Sequence, residues 1–204
     1  MALATHTDLI AAVADWLARN SITGGRADDF ITLTEAKFNR ELRVPQMESR
    51  AATSIAAGDA YLSVPTDMLA IRVLTHDSQP NEQLQYATPD WLRGFYRSMP
   101  GRPKHYAQFG SEWQLGPVPD INYTFEAIYW ARIPGLSAEN PTNWLLRDAP
   151  DVYLYGALFQ ASVYYRNASD ISLYRSLLEE AVASLEHAGS DMSMNGSPLQ
   201  TRCR

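Results

Sequence analysis

Four histidines, His6, His76, His105 and His187, and a scatter of carboxylates are the residues of this chain whose side chains could reach catalysis or metal binding. Zinc would need imidazoles at close helical or strand spacing, and neither HExxH nor HxH occurs, so each histidine reads as an ordinary surface or boundary residue. The pairs Asp28/Asp29 and Asp148/Asp151 could be drawn as metal or acid–base pairs, but both stand where helix starts favour negative charge, and capping explains them. Glu112 and Glu126 lie among aromatic residues able to contact a glycan, which makes them the first candidates for a cell-wall hydrolase. Single acids in strands, however, are usually solvent-facing alternates. There is no GxxxxGK[ST] loop, no GxGxxG fingerprint and no GxSxG elbow, so nucleotide binding and serine hydrolysis lack their parts. The run NYTFEAIYW could stack bases as a single-strand nucleic-acid binding module does, yet it has no interleaved Lys or Arg. Its alternation puts Tyr123, Phe125 and Tyr129 on one face and Ile128 and Trp130 on the other, the pattern of a packed sheet. The residues point to no enzyme, no cofactor and no metal.

Composition narrows the classes further. A chain of 204 residues with 46% hydrophobic and 20% charged residues is globular and long enough to bury a substantial core. No apolar run approaches the roughly 20 residues that cross a bilayer, and the start, MALATHTDLIAAVADW, carries Asp8 and Asp15 and reads as an amphipathic helix rather than a signal peptide. A soluble protein made and used inside a cell is the expectation, and the sequons NYT, NAS and NGS are then chance matches. The single cysteine, Cys203, excludes an intrachain disulfide and a cysteine-rich zinc site. A net charge of -6 opposes duplex binding through the overall field, although an acidic wall suits a passage through which DNA slides without sticking.

The elements that would position these residues fall into three stretches. A first helix is predicted over residues 7–19, capped by Thr7, with Leu9, Val13, Trp16 and Leu17 as its apolar stripe and Asp8, Asp15 and Arg19 opposite. Gly24-Gly25 ends that unit, and a second helix over residues 28–42 starts on the paired acids and buries Ile31, Phe38 and Leu42 before Pro45 stops it. From residue 49 to 133 the period changes: AYLSVP, MLAIRVLTH, PKHYAQFG, SEWQLGP and NYTFEAIYWARIP read as strands, with a hairpin centred on Gly110-Ser111. Thr88-Pro89-Asp90 interrupts them as cap and first turn of a short helix reaching about residue 97. The last helix is capped by Ser169 or Asp170 and packs Tyr174, Leu177, Leu178, Ala181 and Leu185, with Arg175, Glu179 and Glu186 outward. After Gly189 the stretch SDMSMNGSPLQTRCR loses periodicity and reads as an irregular tail.

The stretch NPTNWLLRDAPDVYLYGALFQASVYY, residues 140–165, is organised differently. Asp148 reads as the cap of a helix with Pro150 in its first turn, and Trp144 to Leu146 as a hydrophobic anchor at its entry. On the helical wheel Val152, Gly156, Phe159 and Val163 cluster on one side and Leu154, Leu158, Ala161 and Tyr165 nearly opposite. A helix with two apolar faces is either central in its own bundle or shared with a neighbouring subunit. On the second reading Trp144, Tyr153, Tyr155, Phe159 and Tyr164 are the subunit-interface candidates, since aromatics are enriched at interfaces.

The chain resembles the head-to-tail connector adaptor proteins of tailed bacteriophages, through the order of THTDLIAAVADWLAR, DDFITLTEAKFNRELRV, YLSVPTDMLAIRVL, GRPKHYAQFGSEWQLGPVP and IPGLSAENPTNWLLRDAPDVYLYGAL. The resemblance runs from the first helix to about His187 and contains no catalytic signature. It implies an α+β fold: a bundle of N-terminal (1–48) and C-terminal (136–189) helices, a central β-rich insertion (49–135) carrying a short helix, and an extended tail (190–204). It implies a structural protein of the virion, made in the host cytoplasm and placed at the head–tail junction. There it would bind the portal protein, form a ring usually of twelve copies, continue the DNA channel used in genome ejection without reading sequence, and offer a platform to the next tail component, with no membrane contact. In related adaptors a C-terminal segment reaches onto the portal; on that transfer Met192, Met194, Pro198 and Leu199 would fill pockets and Arg202 and Arg204 would meet acidic groups. The alternative for the tail is a frayed terminus.

Overall fold

The structure, a computed structural model, describes residues 3–17, 24–78 and 82–194. In chain order its helices are α1 (His6–Trp16), α2 (Gly24–Glu41), α3 (Pro89–Tyr96), α4 (Trp144–Asp148), α5 (Pro150–Tyr165) and α6 (Ala168–Met194). The strands are β1 (Glu48–Ile55), β2 (Tyr61–Ser63), β3 (Met68–His76), β4 (Gln85–Tyr86), β5 (Pro100–Gly101), β6 (His105–Phe109), β7 (Glu112–Gly116), β8 (Val118–Pro119) and β9 (Tyr123–Ala131). The fold is α+β and divides into two compact units, one of residues Met1–Met47 with Ile133–Arg204, the other Glu48–Arg132.

The first unit is a helical bundle around α5, against which α1, α2, α4 and α6 all pack. Val152, Tyr153, Ala157, Leu158 and Ala161 of α5 are buried, because its apolar residues wrap round the axis rather than forming one stripe. Close approach to α2 depends on Gly156: a Cβ there would lie 2.3 Å from Thr34 Cγ2 and 3.1 Å from Phe38 Cζ. On α6 the predicted register holds, with Tyr174, Leu178 and Ala181 buried and Arg175, Glu179 and Glu186 exposed.

Several helix ends differ from the expectation, each for a local reason. Thr5, not Thr7, caps α1: its Oγ1 accepts from the Asp8 amide at 3.2 Å while Asp8 Oδ2 accepts from the Thr5 amide at 3.1 Å, closing a capping box. α1 is helical to Trp16, and residues 18 and 19 lie outside the described residues. Gly24 and Gly25 open α2 instead of ending the previous unit, since burial of Ala27, Phe30 and Ile31 outweighs a glycine penalty of about 1 kcal/mol per residue. Asp148 does not cap α5; it closes the last turn of α4, bound to Arg147 Nε at 2.7 Å, and α5 starts from Ala149 with Pro150 and no side-chain cap. The Trp-Leu-Leu anchor is that separate helix, capped by Asn143 Oδ1 on the Leu146 amide at 2.9 Å. α6 starts at Ala168 and runs five residues past Gly189, which is buried where a Cβ would meet Pro45 Cδ at 2.8 Å and so serves packing, not termination.

In the second unit β9 is the centre of a three-stranded antiparallel sheet, order β1-β9-β3, and β2-β7-β6-β4 forms a second sheet. Both contribute to one core of Leu74, Trp113, Leu115, Phe125 and Tyr129, with β5 and β8 as a short parallel pair beside them. The alternation of β9 is as expected: Tyr123, Phe125 and Tyr129 are buried, Ile128 and Trp130 half-buried. β6 and β7 form the predicted hairpin across Gly110, whose φ is +63°. Thr88 caps α3 with Pro89 in the first turn, as its sequence requires. β1 was not among the predicted strands; ESRAATSI is polar and mostly exposed, and its eight-residue ladder to β9 holds it in place.

Candidate functional site

The residues proposed for chemistry are dispersed and engaged locally. His6 is buried on α1 with Nε2 2.9 Å from Asp28 Oδ1, so Asp28, in the second turn of α2, meets a histidine rather than a helix end. His105 Nδ1 lies 2.8 Å from the Tyr96 hydroxyl, and His187 is exposed on α6. Asp148 is held below the ordinary carboxylate value by its hydrogen bond from Arg147, while Asp151 stands exposed in the first turn of α5. Glu126 is bound by Arg50 Nε at 2.6 Å, and Glu112 is exposed at the start of β7 in the other sheet. The ring face of NYTFEAIYW is in the core. Among the described residues no group of three or more His, Cys, Asp and Glu is placed to hold a metal ion, and no helix is long and apolar enough to cross a membrane.

His76 departs from the boundary role expected of it. It is 1% exposed, its Nε2 3.1 Å from the Pro103 carbonyl and its Nδ1 receiving the Ser78 amide at 3.3 Å, so the neutral ring with the proton on Nε2 satisfies both partners. Burial first, then Arg102, pushes its pKa below the ordinary 6.5, against the opposing pull of the Pro103 carbonyl, Glu82 and Asp77. The folded state therefore stays neutral where the unfolded chain takes up a proton, and this stability is lost as pH falls below about 6.5. Thermal melts between pH 7 and pH 5 should show the β-rich unit losing stability, and His76→Gln should flatten that dependence; an unchanged slope would remove His76 as its source.

Two carboxamide and carboxylate groups that the sequence reading did not single out form the polar centre of the bundle. Glu35 Oε1 accepts from the Leu136 amide at 2.8 Å and the Tyr153 hydroxyl at 3.1 Å, and Asn143 Nδ2 donates to the Tyr153 oxygen and the Pro134 carbonyl, each at 2.7 Å. Asn39 Oδ1 adds a bond from the Ile133 amide at 2.8 Å. Together they fix the segment entering α4. The signal was available: Glu35 is four residues after Ile31 and three before Phe38, on the buried stripe of α2.

Of the interface candidates, Tyr153 is 0% exposed and hydrogen-bonded inside its own bundle, which removes it from any surface. Trp144, Tyr155 and Phe159 are half-buried; Tyr155 meets Trp16 edge-on at 6.2 Å, and Lys37 Nζ lies 5.3 Å from the Phe159 ring centre. Tyr164 is exposed, 5.7 Å from the Phe30 ring with the Arg26 guanidinium 5.9 Å over it. The large apolar residues of α5 that are exposed are thus Val163 and Tyr164 in its last turn, and Tyr164 lines a cleft with Leu33 of α2. A second exposed group lies on α3: Trp91 and Phe95, four residues apart, stack at 4.8 Å beside buried Leu92, while exposed Phe109 lies under Arg93, on the other side of the helix.

Of the tail candidates, Met192 and Met194 belong to the last turns of α6, a correction to an irregular segment beginning at residue 190. Pro198, Leu199, Arg202 and Arg204 lie outside the described residues. The described geometry presents three surfaces: a basic and aromatic seam between α2 and α5, exposed Glu179, Glu180 and Glu186 on α6, and an aromatic face on α3. No curated protein matches the chain. The family model for the SU10 adaptor protein matches residues 4–202, across both units, and the chain belongs to that family of phage head–tail adaptors.

Proposed function

We propose that the chain binds the portal ring at the head–tail junction, continues the DNA channel as a ring of identical copies, and presents a platform to the next tail component. The observation that carries this is the family match over residues 4–202, which takes in the bundle and the β-rich unit alike. A structural, non-enzymatic role follows from that membership, and the separation of Glu112 from the Arg50-bound Glu126 supports it. Ring contacts suit this work because a modest interface, repeated round a closed assembly, gains by avidity. An acidic chain also fits a channel through which DNA moves without being held.

Negative-stain imaging of the chain mixed with its cognate portal should show added density on the portal ring, and a portal left bare under assembly conditions would refute the proposal. Deletion of residues 195–204, beyond the end of α6, should leave the fold intact and weaken portal attachment at least about tenfold, a loss of roughly 1.4 kcal/mol. Attachment at wild-type strength would exclude the tail from docking.

A further inference from the structure

We propose that the α2–α5 face of the bundle seats the outward face of α6 from a second copy of this chain, in a head-to-tail contact; this rests on the ring-forming adaptor reading and names the surfaces that build it. The two faces differ in charge. On the outward side of α2 and just after it, Arg26, Lys37, Arg40 and Arg43 outnumber Asp29 and Glu41. On α6, Glu180 shares the stripe of Leu173 and is its carboxylate, whereas Glu179, bound to Arg175 at 2.9 Å, and Glu186 line the groove that α6 forms with Lys37 and Glu41 of its own α2. Pairing either face with itself places like charges together, whereas crossing them is complementary. A crossed contact is heterologous, so it propagates into a ring or filament instead of stopping at a two-fold dimer.

Each face also carries an apolar anchor at matching spacing. A cleft of about 470 Å³ opens between α2 and the end of α5, with Phe30, Leu33 and Tyr164 in its lining; Leu33 is 53% exposed and Tyr164 56%. Among the described side chains of α6, the exposed large apolar residue is Leu173, at 53%. From Leu33 to Arg40 and from Leu173 to Glu180 the step is seven residues, about 10 Å of helix in both cases. With α6 of the second copy parallel to α2, Leu173 enters the cleft beside Tyr164 while Glu180 reaches Arg40.

The test uses the full chain in a Cys203→Ser background. Oxidation of the Leu33→Cys/Leu173→Cys double variant should give a covalent ladder of oligomers, and an equimolar mixture of the two single variants should give dimers and nothing longer. Arg40→Glu and Glu180→Arg should each weaken self-association about tenfold in sedimentation velocity, and the two combined should restore it. All four sites are exposed, and circular dichroism verifies that each variant is folded. The contact is overturned by a chain that sediments as a monomer at every concentration tested, by absence of the ladder, by single variants that link to themselves as fast as to each other, or by reversals without effect. Portal capture is measured on the same preparations. Capture without a ladder sinks this contact alone, whereas a ladder without capture sinks the adaptor reading and leaves the contact standing.

Discussion

Gly156→Ala is expected to destabilise the bundle by about 1–3 kcal/mol, the usual cost of overpacking a filled core. In an exposed helix the same change would gain about 1 kcal/mol of helix propensity, so the sign tests the close approach directly. The added methyl would stand 2.3 Å from Thr34 Cγ2, and Thr34 is 1% exposed with its hydroxyl donating to the Phe30 carbonyl at 2.8 Å, so it has little room to turn away. Phe38, at 3.1 Å, blocks the other side and is itself packed edge-on against Tyr153 at 5.9 Å. Thr34→Ser removes the offending methyl while keeping the hydroxyl, and the double variant should recover most of the loss. Denaturant midpoints of the four members of this cycle give the coupling, and additive effects would refute the packing argument.

Loss of the Tyr153 hydroxyl should cost a further 1–3 kcal/mol or so, through the groups it leaves behind rather than through lost volume. Tyr153→Phe keeps the ring against Phe38 but deprives Glu35 of a donor and Asn143 Nδ2 of an acceptor, all within the bundle core. The same network sets a pH dependence opposite in sign to that of His76. Burial pushes the Glu35 pKa above its ordinary 4.5, opposed by the Leu136 amide, the Tyr153 hydroxyl and His6. The folded state then holds a proton that the unfolded chain has released, so the contribution of Glu35 to stability is full below about 4.5 and is lost as pH rises through the raised value. Glu35→Gln should therefore gain on the wild type as pH rises above 4.5, as read from paired melts, and a constant difference would show that Glu35 does not titrate there.

Where local chemistry alone decides a structure, the residues announced it. Thr88-Pro89-Asp90 could begin little other than a helix, and the stripe of α6 from Tyr174 to Leu185 needed only the 3.6-residue period. β9 was legible for the same reason, its alternation being set by burial on one face. The misreadings occurred where a residue has two eligible partners in sequence. Asp148 precedes Pro150 as a cap should, but Asn143 had already started a short helix that consumes Asp148 in its own last turn. β1 offered no period because its stability is borrowed from the ladder with β9, a contact distant in sequence. At the candidate surfaces, the wheel of α5 gave two opposite apolar faces, yet only the packed bundle shows that Tyr153 faces inward and Tyr164 outward. The aromatic face of α3 escaped because Trp91 and Phe95 look like core residues until Leu92 is seen to fill that place.

The bundle is discontinuous along the chain, its first helices separated from α4, α5 and α6 by the whole β-rich unit. During synthesis this imposes an order. α1 and α2 leave the ribosome long before α5, the helix that buries their apolar stripes, so Leu9, Ile31 and Phe38 wait without a partner while β1 to β9 emerge and pair. The β-rich unit is contiguous and can fold as soon as β9 is free, whereas the bundle closes only when the last third of the polypeptide has been released. A fragment ending between residues 132 and 149 should accordingly present a protease-resistant β-rich unit and cleavable N-terminal helices, which makes the release of α5 the moment at which the bundle surfaces first exist.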